Sequence, residues 1–347
     1  MATIAKPIET LKKAHHNLAS YNYKIKPVDK GYANRTLHIN LEDYSIQEQP
    51  VTQQMKDLFT GGRGFALWLL WKAIKDNTQW NDPENALVIA NGPIGGLTAY
   101  PGLGKSTVVT LSPLTKSVID SNVGGYFGPY LKFSGFDAID IQGKAPEDVF
   151  GEVIIVIDGD TGAVSIETAP LEDVDSHLLA GQLAEHYGDG KRGKYGVSTV
   201  TAGMAAEHIN YACLNFSWYD VRRQEMRLKQ AGRGGTGRVF RDKGIKGIVV
   251  KFNGLKGDVN NPVDMFMIRQ AGKRINREIS DLDDKQNQMR KVGTAHLVEI
   301  MDHFDLLPVH NFRYGAHPEH SKIDSSVWHE QFTQGINDAC WAGCTMS

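Results

Sequence analysis

The sequence predicts an α+β protein, a β-rich domain followed by the beginning of an α-helical one. Up to Phe252 the apolar residues fall in short runs, "ALVIANGPIGG", "STVVTLSPLT", "FDAIDIQGKA", "GEVIIVIDGDTGAVSIET" and "GIKGIVVKF", each punctuated by Gly or Pro as short strands are. After Phe252 the apolar period lengthens to that of a helix, in "PVDMFMIRQAGKRINREISDLDDKQNQMRK" and "GTAHLVEIMDHFDLL". Glycine supplies the third observation: 36 of 347 residues, about one in ten where roughly 7% is usual. These glycines cluster where backbone must turn sharply or be approached closely. The limits that follow are an N-terminal extension over 1–30, the β-rich domain over 31–253 and the helical part over 254–347.

Residues 1–30 are charged and carry little apolar face, and read as an extension of helical character. In "NRTLHINLEDYSIQEQPV" Leu37, Ile39 and Leu41 alternate with polar residues and a turn precedes Ile46, which predicts a hairpin. Gly61, Gly62 and Gly64 open the apolar run of "KDLFTGGRGFALWLLWKAI", a loop delivering a helix. "IDGDTGAV" is a hairpin turn, because Asp and Gly tolerate the positive φ it needs. "SHLLAGQLAEHYG" predicts a helix, and the charged "DVRRQEMRLKQA" also reads as helical. No repeat of 20–50 residues is present.

Lys+Arg 38 against Asp+Glu 40, a formal charge of −2, leaves no basic field to hold a phosphate backbone, so nucleic acid is not an expected partner. The N-terminus lacks the apolar core of a signal peptide, and no apolar run approaches the ~20 residues of a membrane span. Three cysteines, Cys213, Cys340 and Cys344, are too few for a disulfide framework. A soluble, cytoplasmic protein is expected.

Two glycine clusters carry the chemistry. "GRGGTG", residues 232–237, satisfies G-x-G-x-x-G, but a dinucleotide site needs a strand immediately before it, and the preceding segment reads as a helix. What remains is a glycine turn flanked by Lys229, Arg233, Arg238 and Arg241. It is either a phosphate site of backbone N–H groups and fixed cations or a solvated surface turn. The second cluster, residues 105–137, sets Gly124, Gly125, Gly128 and Gly135 among Tyr126, Phe127, Tyr130, Phe133 and Phe136. It reads either as a bed for a flat ligand, with Asn122 supplying oxygen to a cation or phosphate bridge, or as a tightly packed sheet corner. At the C-terminal end, Cys340-x3-Cys344 is either an accident or a pair of metal ligands. With His317-x2-His320 it forms a possible Cys2His2 zinc set, over a longer gap than in the usual finger. Cys213 reads as a small buried residue.

The segments "GGRGFALWLL", "PENALVIANGPIGG", "SPLTKSVIDSNVGGYFGPYLKFSGFDAIDIQGKA", "AGRGGTGRVFRDKGIKGIVV", "VGTAHLVEIMDHFDLLPVHNF" and "CWAGC", taken in order, resemble the N-terminal half of the tungsten-dependent aldehyde:ferredoxin oxidoreductase family. The resemblance runs from about Arg35 to the last residue. It implies two β-sheets forming the base for a tungsten or molybdenum bis-pterin, with its phosphates held by basic side chains and backbone around Mg²⁺. Carried over, Asn122 matches the asparagine whose main chain helps hold that Mg²⁺. Gly124, paired with Gly125, matches a pterin-contacting glycine, and Gly232 and Arg233 match the "AGRG" segment. Lys105 and Lys229 stand where the family has phosphate-binding arginines, and Gln230 replaces a small residue whose carbonyl is used. Lysine keeps the charge but loses the bidentate fork.

In the family C-x2-C-x3-C and a distant fourth cysteine hold a [4Fe-4S] cluster. Cys340 and Cys344 match part of that set, and a third cysteine at the x3 step would fall one position past Ser347, so the helical part reads as truncated within the iron–sulfur motif. The activity implied is oxidation of aldehydes to carboxylic acids, with electrons passing to ferredoxin or an electron-transfer subunit, in a possible homo-oligomer. A relative with the same pattern is the tungsten subunit of benzoyl-CoA reductase, which takes a thioester. The alternative from another class is a non-catalytic pterin-binding fragment. No residue of the chain is nominated as catalytic acid or base.

Overall fold

A computed structural model of the chain describes residues 13–169, 171, 175–254, 259–282 and 292–331. The chain divides into two units, Met1–Leu97 with Gly104–Val263, and Thr98–Leu103 with Asp264–Ser347.

The first unit holds two mixed sheets. The six-stranded sheet contains β2 (Arg35–Asn40), β3 (Ser45–Pro50), β4 (Leu87–Asn91), β5 (Ser106–Leu111), β6 (Val118–Val123) and β7 (Ala138–Gln142), in the order β3-β2-β7-β4-β5-β6. The seven-stranded sheet contains β1 (His16–Asn22), β8 (Val153–Asp158), β9 (Ala163–Thr168), β10 (Val197–Thr201), β11 (Leu214–Asp220), β12 (Glu225–Ala231) and β13 (Ile245–Lys251), in the order β1-β9-β8-β13-β10-β11-β12. Only β2–β7 and β8–β13 pair in parallel.

Alternation along the strands builds the core. Leu87 and Ile89 of β4 join Leu37, Ile139, Ile155, Ile248 and Phe216 in one cluster drawn from both sheets. Val88 and Ala90 point the other way, against Ala66, Leu69 and Leu70 of α2 (Arg63–Ala73). On the opposite sheet Ile154, Val156 and Val249 pack against Leu179 and Leu183 of α4 (Ser176–Tyr187). Both sheets are therefore covered on both faces, which is why their central strands read as unbroken apolar runs. The short α3 (Phe127–Phe133) contributes Phe127, Tyr130, Leu131 and Phe133 to the layer between the sheets.

Local chemistry sets the ends of these elements. α1 (Gln53–Phe59) begins on Thr52, whose side chain accepts from the Met55 N–H, and α4 begins on Asp175, which accepts from His177 and Leu178. Gly62 at φ 53° carries the chain into α2. In the β8–β9 turn Asp158 accepts from the N–H groups of Asp160 and Thr161.

Two elements differ from the reading of the sequence. Residues 16–22, expected as helical, form β1, the edge strand paired antiparallel with β9. "DVRRQEMRLKQA" forms the end of β11, a turn and the edge strand β12, paired antiparallel with β11. A strand does precede "GRGGTG", and α5 (Thr236–Asp242) follows it. The dinucleotide reading fails for a different reason: β10 and β11 lie between β13 and β12 and every pairing in that run is antiparallel, so β12 and β13 are antiparallel and β12–α5–β13 is no parallel βαβ unit.

The second unit contains α6 (Met265–Leu282), α7 (Leu297–His303) and α8 (Ser325–Gln331). Gly272 lets α6 pass against residues 99–100, where a Cβ would stand 1.9 Å from the Ala99 carbonyl oxygen. Glu299 of α7 accepts from Ser325 at the start of α8.

Candidate functional site

Register brings the start of the 105–137 cluster together. Asn91 of β4 lies opposite Ser106 of β5, and Ser106 opposite Val123 of β6. Loop 92–96, Lys105 and the Gly124-Gly125 pair therefore leave the six-stranded sheet side by side at one edge. The Gly62 N–H donates to the Asn91 carbonyl at 3.2 Å, which places the start of α2 there as well, and Arg63 pairs with Asp120 of β6 at 2.7 Å.

The "GRGGTG" cluster arrives from the other sheet. The backbone N–H of Arg233 donates to Ser121 Oγ of β6 at 3.1 Å, and a Cβ on Gly234 would stand 2.6 Å from Ile119. The glycine turn is thus seated on β6, beside Asn122. Lys105, Asn122, Gly124, Gly125, Gly232 and Arg233 meet at this edge. Lys229 and Gln230 lie on β12, opposite Phe216 and Asn215. Lys229 shares the face of Phe216, whose ring meets Phe127 at 5.3 Å. Gln230 faces away and donates to Asn215 Oδ1 at 3.3 Å.

Glycines sort into two kinds along this edge. A Cβ added to Gly92 or Gly125 would meet no atom within 4 Å, and one added to Gly232 would meet only Gln230 Cβ at 3.9 Å. These three open onto empty space. Gly95 and Gly128 instead permit close packing, since their Cβ atoms would stand 2.0 Å from Asn91 Oδ1 and 2.2 Å from Ser106 Oγ. Asn91 Nδ2 donates to the Lys105 carbonyl at 2.9 Å, while the buried Asn91 Oδ1 has no hydrogen-bond partner among the described residues. Three open glycines and exposed cations form a cradle able to take a polar, anionic group against backbone.

Lys105 and Arg233 are exposed at this edge, and Lys229 is half-buried. The other two cations of the glycine turn are engaged elsewhere. Arg241 is buried against Glu207, and Arg238 stacks over Trp80 at 5.2 Å. Phe127, Tyr130, Phe133 and Phe136 are buried between the sheets, as in a packed corner. Only Tyr126 of that series stays partly accessible, its ring about 6 Å from Tyr130, Tyr195 and Trp218. Burial pushes the Tyr126 phenol up to about 12, so it stays a neutral donor at ordinary pH.

Reading the sequence missed Asn91 and Lys132. Asn91 ends β4 inside "ANGPIGG", where an amide beside glycines signals a fixed loop. Lys132 is fully buried on α3, in an aromatic run that gives its charge no visible partner.

Cys340 and Cys344 lie outside the described residues, and the iron–sulfur and zinc readings with them. His320 Nε2 is 3.4 Å from Asp302, and the His317 N–H donates to the same carboxylate at 2.7 Å. No group of three or more His, Cys, Asp or Glu able to hold a metal occurs among the described residues. Cys213 is half-buried, and burial pushes its thiol up.

Comparison with known proteins follows the same division. Residues 36–252 match the family model "Aldehyde ferredoxin oxidoreductase, N-terminal domain", and residues 270–347 match "Aldehyde ferredoxin oxidoreductase, domains 2 & 3". The tungsten-containing aldehyde ferredoxin oxidoreductase of Pyrococcus horikoshii is 31% identical over 290 residues, 82% of this chain and 43% of that protein. Its counterpart in Pyrococcus furiosus is 31% identical over 83% of this chain and 44% of its own length. This chain thus spans less than half the length of these curated relatives. Among solved structures, the active site complex BamBC of benzoyl coenzyme A reductase with 1,5-dienoyl-CoA is similar with a TM-score of 0.55 and 28% identity, covering 65% of this chain and 31% of that one. The chain belongs to the aldehyde ferredoxin oxidoreductase family.

Proposed function

We propose that the chain provides the cofactor-binding base of a tungsten or molybdenum bis-pterin oxidoreductase that oxidises aldehydes to carboxylic acids and delivers the electrons to a ferredoxin or an electron-transfer subunit. The observation that carries this reading is the cradle, with Gly92, Gly125 and Gly232 open on empty space at an edge flanked by Lys105 and Arg233. Residues matching the family's pterin contacts converge there from two sheets. Lys105, Lys229 and Arg233 offset the charge of the pterin phosphates. In this reading the backbone at Asn122, Gly124 and Gly232, with Gln230 two residues earlier on β12, would supply carbonyls to Mg²⁺ or N–H groups to a phosphate. Cys340 and Cys344 supply thiolates toward a [4Fe-4S] cluster, since thiolate is the ligand such clusters take. The bound metal centre supplies the redox chemistry, in which an aldehyde and water give the acid, two electrons and two protons. This chain anchors and orients the group and shields it on one side.

A second reading has the same base serve an enzyme that reduces the acyl group of a CoA thioester, as the likeness to the BamBC complex favours. The cradle is common to both.

Replacing Lys105 and Arg233 together by Met tests the anchoring. Both side chains are exposed, so folding is unaffected, while the tungsten or molybdenum retained per purified chain is expected to fall by about tenfold or more, as loss of two charge-assisted contacts implies. An unchanged metal content would remove these residues from the site.

A further inference from the structure

The geometry points to Lys132 as a positioning residue whose ammonium acts as a built-in cation, gathering the carbonyls of the 92–95 turn and so holding the open glycine edge of the cradle in place. This reading rests on the cradle proposed above only for its consequence, not for the geometry of the turn. Lys132 is fully buried on α3. Its Nζ donates to the carbonyl oxygens of Gly92, Pro93 (2.9 Å) and Gly95 (3.0 Å), and reaches Asn260 Oδ1 at 3.3 Å. Asn260 closes the other side, its Nδ2 donating to the Pro93 carbonyl at 3.0 Å. Three carbonyls of one four-residue turn aimed at a single point is the arrangement of a cation site, filled here by the chain's own ammonium.

Charge state follows from the neighbours. Burial pushes Lys132 down from the ordinary lysine value, and the Asp137 carboxylate opposes that shift. All four groups within 3.3 Å of Nζ are oxygen acceptors. A neutral amine has only two hydrogens and would turn a lone pair toward a carbonyl, whereas the ammonium spends all three hydrogens and balances converging dipoles. Without it the buried Gly95 carbonyl would lose its donor, the Gly92 and Pro93 carbonyls would keep one neutral donor each, the Gly95 N–H and Asn260 Nδ2, and the turn would open toward water. Gly92, the turn's first residue, is one of the three glycines facing empty space, so the turn's position sets the width of the cradle. The turn's own support is slight, a Gly95 N–H donated to the Gly92 carbonyl at 3.0 Å and a Leu97 N–H to Ile94 at 3.3 Å.

Hydrogen exchange of the full chain tests this without any cofactor. Lys132→Met, which keeps the volume and removes the charge, is expected to speed exchange of the Gly95 and Leu97 amides by about tenfold or more while the central strands β8 and β13 exchange as before. Lys132→Ala is expected to behave likewise and to recover with n-propylammonium, which restores the excised atoms, but not with neutral n-propanol. Unchanged exchange in Lys132→Met, or recovery with propanol as readily as with propylammonium, would overturn the proposal. Should the variants fail to fold, ¹⁵N-lysine spectra of the unaltered protein at neutral pH decide it: a protected ammonium supports the assignment and a neutral amine contradicts it. A metal-free preparation would refute the proposed function yet leave all these readouts intact.

Discussion

Single residues at the cradle divide by whether a missing side chain makes room for something outside the chain or for something within it. Gly92 has no atom within 4 Å of its would-be Cβ and lies outside the positive-φ region. Gly92→Leu is therefore expected to shift stability by no more than about 0.5 kcal/mol, as exposed substitutions do, while filling the cradle and cutting metal retention. Gly234 is the opposite case, at φ 76° with Ile119 only 2.6 Å from its would-be Cβ. Gly234→Ala combines backbone strain with overpacking, and a loss of about 2 kcal/mol or more is expected in denaturant unfolding. If the first variant proved the less stable of the two, the division between open and packed glycines would be wrong.

Among the elements, the β11–β12 hairpin shows where reading the sequence fell short and why. Strands covered on both faces, such as β4, β8 and β13, are legible because each carries an unbroken apolar run, "LVIA", "VIIVI" and "IVV". β12 lies at a sheet edge with one ladder and five half- or fully exposed residues before Gln230, so its composition is that of a solvated helix. β1 is the other edge of the same sheet and was hidden in the same way. Lys132 was hidden because lysine reads as surface unless its acceptors are known, and they come from a turn about 40 residues earlier in the chain. The glycine turns were legible because glycine declares a backbone constraint by its identity.

The hairpin itself turns on Asp220, which accepts from the N–H groups of Arg222 (2.8 Å) and Arg223 and pairs with the Arg223 guanidinium. Burial raises the Asp220 carboxyl, but these partners outweigh it and hold it below the usual range. A depressed folded-state value stabilises above the unfolded value of about 3.9 and is lost as pH falls through the folded one. Asp220→Asn is therefore expected to be less stable than the parent at neutral pH. The difference should shrink below about pH 4 as the parent loses its own advantage. A difference independent of pH would show that the carboxylate charge contributes nothing.

For the whole molecule, two sheets stack so that an edge strand of each, β6 and β12, meets the other at one seam, and the cradle lies on that seam. This explains how two glycine clusters about a hundred residues apart in sequence meet at one edge. No helix among the described residues is long and apolar enough to cross a membrane. Large apolar side chains are exposed in the second unit, among them Phe266, Met267, Phe304 and Phe312. The central claim is that the first unit holds a bis-pterin metal centre. The most direct measurement is the metal and pterin content of the purified chain, produced anaerobically with tungstate and molybdate supplied. The account predicts tungsten or molybdenum with about two pterins per metal, the ratio of a bis-pterin centre. A colourless chain carrying neither metal nor pterin would contradict it.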